Sequence, residues 1–291
     1  MIRSWLSGLG LSALTLSAPM SPHNHVLCSG FVPKNDLQIP ISAHQVGGVT
    51  KADYDAVLDA IEKHYAPIAQ SQGGYLQLNR LWNDGSVNAS AERRGRTWVL
   101  NMYGGLARHP IMTKDGFLMV ACHEMGHHIG GAPKIAGWFG SDWASNEGAA
   151  DYFATLRCMR ELMPDQENER FVRENAIDPV VRRRCEELFN TQAEENLCMR
   201  EGTAGMIGGL MFQTLRNEPT APKFDTPDSS VVNRTYDDHP ATQCRLDTYF
   251  QGALCVHDRN VDLSDSNPNQ GTCSEANGQR EGLRPRCWFK P

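Results

Sequence analysis

The stretch HEMGHHIGG, from His123 to Gly131, constrains the chain more than any other. His123 and His127 stand four residues apart. On an α-helix that spacing puts both imidazoles on one face, one turn apart, as a single metal ion needs. The chain is therefore expected to be helical here. Glu124 then sits beside the metal, placed to take a proton from water. His128 is five residues from His123, which turns it about 140° away from that face. It is read as a residue that packs or lines the cleft, and not as a ligand.

A catalytic zinc site takes three protein ligands and leaves one position open. The segment SNEGAADYF offers the third, because Glu147 follows His127 by twenty residues. Asp151, one helical turn beyond Glu147, is placed to hydrogen-bond the outer nitrogen of a ligand histidine and fix its orientation. The expectation is one zinc ion per chain on His123, His127 and Glu147.

The cysteines bear on the compartment. Of nine, Cys28, Cys158, Cys185, Cys198, Cys244, Cys255, Cys273 and Cys287 are read as paired, and Cys122 as a small buried free thiol. That usage suits an oxidising environment. The nearest pairs in sequence are Cys185–Cys198, Cys244–Cys255 and Cys273–Cys287. No C-x-x-C occurs, which argues against a thiolate zinc ribbon. Residues 1–19 have the shape of a secretory signal peptide. Arg3 precedes an apolar run from Trp5 to Leu16, and cleavage is plausible after Ala18. The protein is thus expected to be exported, periplasmic or secreted, with no membrane insertion after signal removal. A net charge of -6 without a dominant Lys/Arg block argues against nucleic acid as a partner.

The local pattern predicts an α+β fold. Residues 20–48 read as an irregular leader. Thr50 starts a helix with Val57, Leu58 and Ile61 on its apolar face. YLQLNRLW, SVNASA and TWVLNMY read as strands of a small antiparallel sheet. Thr113 caps the helix that carries the histidines. Further helices are expected over Ser145–Leu162, Val172–Leu188 and the segment GTAGMIGGLMFQTL. The chain is loop-rich from Asn217. The main domain spans 49–255, and 256–291 form a polar tail stapled by cysteines.

The pair HEMGH and NEGAAD resembles the gluzincin zinc metallopeptidases, with a gap similar to that of thermolysin-like enzymes. An ordered set of outer motifs is similar to the HtpX-like, CAAX-protease-related branch, in its soluble exported members. These are NASA (Asn88 to Ala91), WVLNMYGGL (Trp98 to Leu106) and DHPATQCR, which contains His239, Pro240 and Arg245. The resemblance covers roughly residues 85–250. It implies a zincin-like fold with a mostly helical zinc-binding core. It also implies that His239 stabilises the oxyanion of the tetrahedral intermediate, and that Arg245 is structural, pairing with a carboxylate of the active-site helices.

The function expected is a zinc endopeptidase acting on protein or peptide substrates, with Glu124 as general base. The strand holding Trp98, Leu100 and Met102 precedes the zinc helix and is read as the place where an extended substrate adds by backbone hydrogen bonds. Two other readings stand beside it: a non-catalytic binding protein on a metallopeptidase scaffold, and a zinc amidohydrolase with a non-protein cell-envelope substrate.

Overall fold

The computed structural model describes residues 1, 30–43, 47–135 and 143–291. The apolar run Trp5–Leu16 and Cys28 lie outside the described residues. Helix α1 (Lys51–Ser71) begins where the Thr50 side chain accepts from the Asp53 amide, 3.1 Å away. Its buried residues Tyr54, Val57, Leu58, Ile61 and Tyr65 recur at helical spacing and form one face. Three strands follow, β1 (Tyr75–Leu81), β2 (Ala89–Arg94) and β3 (Thr97–Tyr103). After them come α2 (Gly104–Ala107), α3 (Lys114–Ile129) and α4 (Glu147–Phe153). A π-helical turn, Ala154–Cys158, joins α4 to α5 (Met159–Leu162). Then follow α6 (Asp165–Glu174), α7 (Pro179–Leu188), α8 (Gln192–Leu215) and α9 (Thr242–Ala253).

The fold is α+β, but the sheet is mixed and not antiparallel. Its order is β1-β3-β2, with β3 parallel to β1 and antiparallel to β2. The tight turn at Gly95 brings β3 back along β2, and β3 then runs beside β1 in the same direction. Five consecutive residues of β3, Trp98 to Met102, are buried, as suits a central strand covered on both faces. A single hydrophobic cluster joins α1, the sheet, α3 and α8.

Two helix expectations change. The expected helix over Val172–Leu188 is two helices, because the residue before a proline disfavours the α conformation. Asp178 is extended and caps α7 through the Val180 amide at 2.8 Å, with Pro179 in the first turn. In the stretch read as loop-rich, α9 forms, and its residues Arg245, Leu246, Tyr249 and Phe250 are buried.

The cysteine pairing also departs from expectation. Cys122 is not a free thiol but is bonded to Cys158 in the π-helical turn. Cys185–Cys198 is present as expected from proximity. The other two bridges are Cys244–Cys287 and Cys255–Cys273. Cys244 and Cys255 cannot pair, since the rise of α9 holds them about 16 Å apart, beyond the ~7 Å Cα limit of a disulfide. These bridges instead fasten the tail to both ends of α9, and Trp288 and Phe289 pack with Ala149 of α4. Four disulfides among the described residues favour an oxidising environment outside the cytoplasm. No described helix is long and apolar enough to cross a membrane.

Before α1, residues 30–43 form an irregular strap. Ile39 reaches the Gly85 carbonyl at 2.8 Å and Gln38 bridges Ser86. Further upstream, Phe31 donates its amide to the Ala89 carbonyl of β2 at 2.9 Å.

Candidate metal centre

The site is built where α3 crosses α4. Thr113 caps α3 by accepting from the Gly116 amide at 3.0 Å. Residues 115–128 of α3 are all buried, so every face of this helix meets protein. Beyond α3, the Ser145 amide donates to the His127 carbonyl at 2.9 Å. Asn146 then caps α4 through the Ala149 amide, 2.9 Å, which sets Glu147 in the first turn. The two helices touch at Gly126, where a Cβ would stand 2.9 Å from Ala150 Cα and 3.0 Å from its carbonyl oxygen. Any larger residue at that point of HEMGH would force α3 and α4 apart.

His123, His127 and Glu147 converge. The two Nε2 atoms are 3.1 Å apart. Glu147 Oε2 lies 3.3 Å from His123 Nε2, and Oε1 lies 3.7 Å from His127 Nε2. Both outer nitrogens are occupied: His123 Nδ1 donates to Asp151 Oδ1 at 2.7 Å, and His127 Nδ1 to the Ser145 carbonyl at 2.8 Å. Those bonds fix the tautomers and leave both Nε2 lone pairs aimed at one point.

Three buried carboxylate oxygens fit a cation-binding site. Neither oxygen of Glu124 has a hydrogen-bond partner, nor does Glu147 Oε2. Such atoms are costly to bury without compensation. Two imidazole nitrogens and a carboxylate are a donor set that could hold a divalent metal ion. A second grouping, Asp228 with Cys244 and Cys287, offers no thiolate because its cysteines are joined in a disulfide.

The electrostatics follow from burial and charge. Burial pushes the Glu124 carboxyl up to about 8. Burial also acts upward on Glu147, but His127 and His123 outweigh it and hold that carboxylate well below its usual range. Burial pulls the His123 imidazole down, yet Asp151 and Glu147 more than offset this. Asp151, completely buried, is held low by Arg245 and His123 against its own desolvation.

Around this centre stand the other residues singled out by sequence. Arg245 Nε and Nη2 donate to the two oxygens of Asp151 at 2.7 and 2.6 Å. His239 Nε2 is 3.3 Å from Glu147 Oε2 and donates to the Gly30 carbonyl at 2.7 Å. The loop carrying His239 is held in part by Asn146, whose amide donates to the Tyr236 carbonyl and to Asp237. His128 faces away from the ligands, its Nδ1 accepting from Arg93 Nε at 2.9 Å, its ring stacked between Trp98 and Trp143.

Trp98, Leu100 and Met102 do not join the site as a substrate strand. They lie on β3, which is paired on both sides and has no free edge. Trp98 stacks on His128, and the Met102 carbonyl accepts from Tyr54 Oη at 2.7 Å. The edge beside the metal centre is β2, which carries Ala89.

Three participants were not read from sequence as site residues. Tyr249 donates to Asp151 Oδ1 at 2.5 Å and lies one turn from Arg245 on α9. The apolar spacing of Leu246, Tyr249, Phe250 and Ala253 was the signal for that helix. Asn88 accepts from the Val32 amide at 3.2 Å. The third is the strap itself, whose Phe31 packs edge-on against His123 with ring centroids 5.1 Å apart. No protein-family model, curated protein or solved structure matches the chain.

Proposed function

We propose that this chain is an exported zinc endopeptidase of the gluzincin type, working with one zinc ion on His123, His127 and Glu147. The observation that carries the proposal is the convergence of those three side chains beside Glu124, a buried carboxylate with no partner of its own. The two histidines and one glutamate suit zinc, which acts as a Lewis acid that lowers the pKa of water to about 7.

The chain's own residues supply the rest. Glu124 accepts the proton as water attacks the scissile carbonyl, then delivers it to the leaving amine. Burial raises the proton affinity of its carboxyl, the direction that helps a general base to hold the proton it has taken. His239, with its Nε2–H aimed at a carbonyl oxygen in the structure, donates to the developing oxyanion. Asp151 orients His123, and Arg245 and Tyr249 orient Asp151. The edge of β2 receives the substrate backbone, as it receives Phe31 here. Pairing of that kind favours a peptide over a cell-envelope amide, and the presence of Glu124 disfavours a purely binding role. The four disulfides support an exported location.

Zinc content and cleavage of unfolded casein by the purified wild type, beside Glu124→Ala, test the proposal. The expected result is one zinc per chain in both proteins and cleavage, at whatever rate, only in the wild type. A folded wild type that binds no zinc, or a Glu124→Ala protein that cleaves as fast, sinks it.

A further inference from the structure

Resting on that peptidase reading, we infer that the chain's own segment Gly30–Val32 occupies the position of the substrate, so that the intact chain is latent.

Successive backbone groups of the segment are taken up by the site. The Gly30 carbonyl accepts from His239 Nε2 at 2.7 Å. The Phe31 amide donates to the Ala89 carbonyl on the β2 edge at 2.9 Å. The Phe31 carbonyl accepts from Arg245 Nη1 at 3.0 Å, and the Val32 amide donates to Asn88 Oδ1 at 3.2 Å. The Phe31 ring is fully buried among His123, Phe212 and the Arg245 guanidinium. A peptide substrate needs the same edge, the same oxyanion donor and the same apolar niche. It cannot use them while the strap is seated.

The strap is held as a peptide, but it is bent at the residue that matters. Gly30 has φ +92°, and a Cβ there would stand 2.7 Å from Asn88 Nδ2. A substrate bound by strand addition is extended. Gly30 is instead out of the extended conformation at the carbonyl that faces His239. The segment therefore has the contacts of a ligand without an extended backbone at the residue whose carbonyl meets His239. It is an inhibitor tethered to its own site.

Tethering decides the competition. A short linker gives an effective concentration in the millimolar range, which a free substrate at micromolar concentration does not match. Removal or displacement of the strap is then the activating event, and substrates with a large apolar residue in the niche of Phe31 are preferred.

The test compares three zinc-loaded proteins on a fluorogenic peptide carrying phenylalanine after the scissile bond. They are the intact chain, a chain beginning at Pro33, and full-length Gly30→Val. The last expels the strap by sterics and backbone strain, and it decides the matter if the shortened chain does not fold. Expected is a rise in kcat/KM of at least ~10-fold in both strapless forms at equal zinc. Competitive inhibition of a strapless form by the peptide SGFVPK, recovered uncut, is also expected. Equal rates in all three overturn the latency alone. So does a strap peptide that fails to inhibit, or self-cleavage of the intact chain between Gly30 and Phe31. If every form holds zinc, folds and cleaves nothing, the peptidase reading itself falls and the latency with it.

Discussion

Arg245 grips Asp151 in a two-pronged ion pair, Nε to Oδ2 at 2.7 Å and Nη2 to Oδ1 at 2.6 Å, with both residues wholly buried. Asp151 Oδ1 also accepts from His123 Nδ1 and Tyr249 Oη. A charged group with that many donors is stable in a low-dielectric interior only as a complete set. The pair ties α9 to α4, and through His123 it ties both to α3. The orientation of the His123 imidazole thus depends on a residue more than a hundred positions away.

Asp151→Asn tests this coupling. The amide cannot neutralise Arg245, so the folded state should lose about 3–5 kcal/mol. Zinc affinity, measured by competition with a chelator in protein that remains folded, should fall by roughly 10–100-fold. Unchanged affinity would show that His123 is oriented without Asp151.

His239→Ala separates charge stabilisation from metal binding. In the chain beginning at Pro33, kcat should drop on the order of 10²–10³, with zinc content unchanged. A drop explained entirely by lost zinc would instead make His239 part of the metal's hold.

The Cys122–Cys158 bridge joins the residue before His123 to the π-helical turn that follows α4. Cys122 should therefore resist alkylation in the folded, unreduced protein. The double change Cys122→Ser with Cys158→Ser should cost about 2–5 kcal/mol of stability. Labelling of Cys122 in native protein would remove the bridge.

Glu201 is fully buried on α8, neither oxygen has a hydrogen-bond partner, and Arg160 Nε is 3.7 Å away. Burial raises its carboxyl from 4.5 to about 8. The folded state therefore keeps the proton that the unfolded chain releases. The resulting stability is present in full below pH 4.5 and is lost as pH rises toward about 8. Glu201→Gln should flatten that decline, raising Tm at pH 8 by at least ~2 °C relative to wild type and changing it little at pH 5. An equal effect at both pH values would contradict the shift.

What could be read from the sequence was local. Four-residue spacing put His123 and His127 on one face because the helical period is fixed by backbone hydrogen bonds. Thr50 and Thr113 marked helix starts for the same reason, since a cap satisfies amides within three residues of itself. Glu147 was legible as a candidate third donor because a catalytic metal site needs one, and its carboxylate does stand with His123 and His127 in a group that could hold an ion.

The tertiary structure decided what depends on distant partners. Strand order is one case: β3 reads as a strand from its own residues, but only pairing with β1 and β2 makes it central and denies Trp98, Leu100 and Met102 a free edge. Cysteine partners are another, because the rigid length of α9 forbids the bridge that sequence proximity favours. The seating of Phe31 between His123 and Phe212 is a third. Residue periodicity reports the backbone's local hydrogen bonding, whereas these contacts exist only after loops of many residues have closed, and nothing in the local pattern encodes which closure wins.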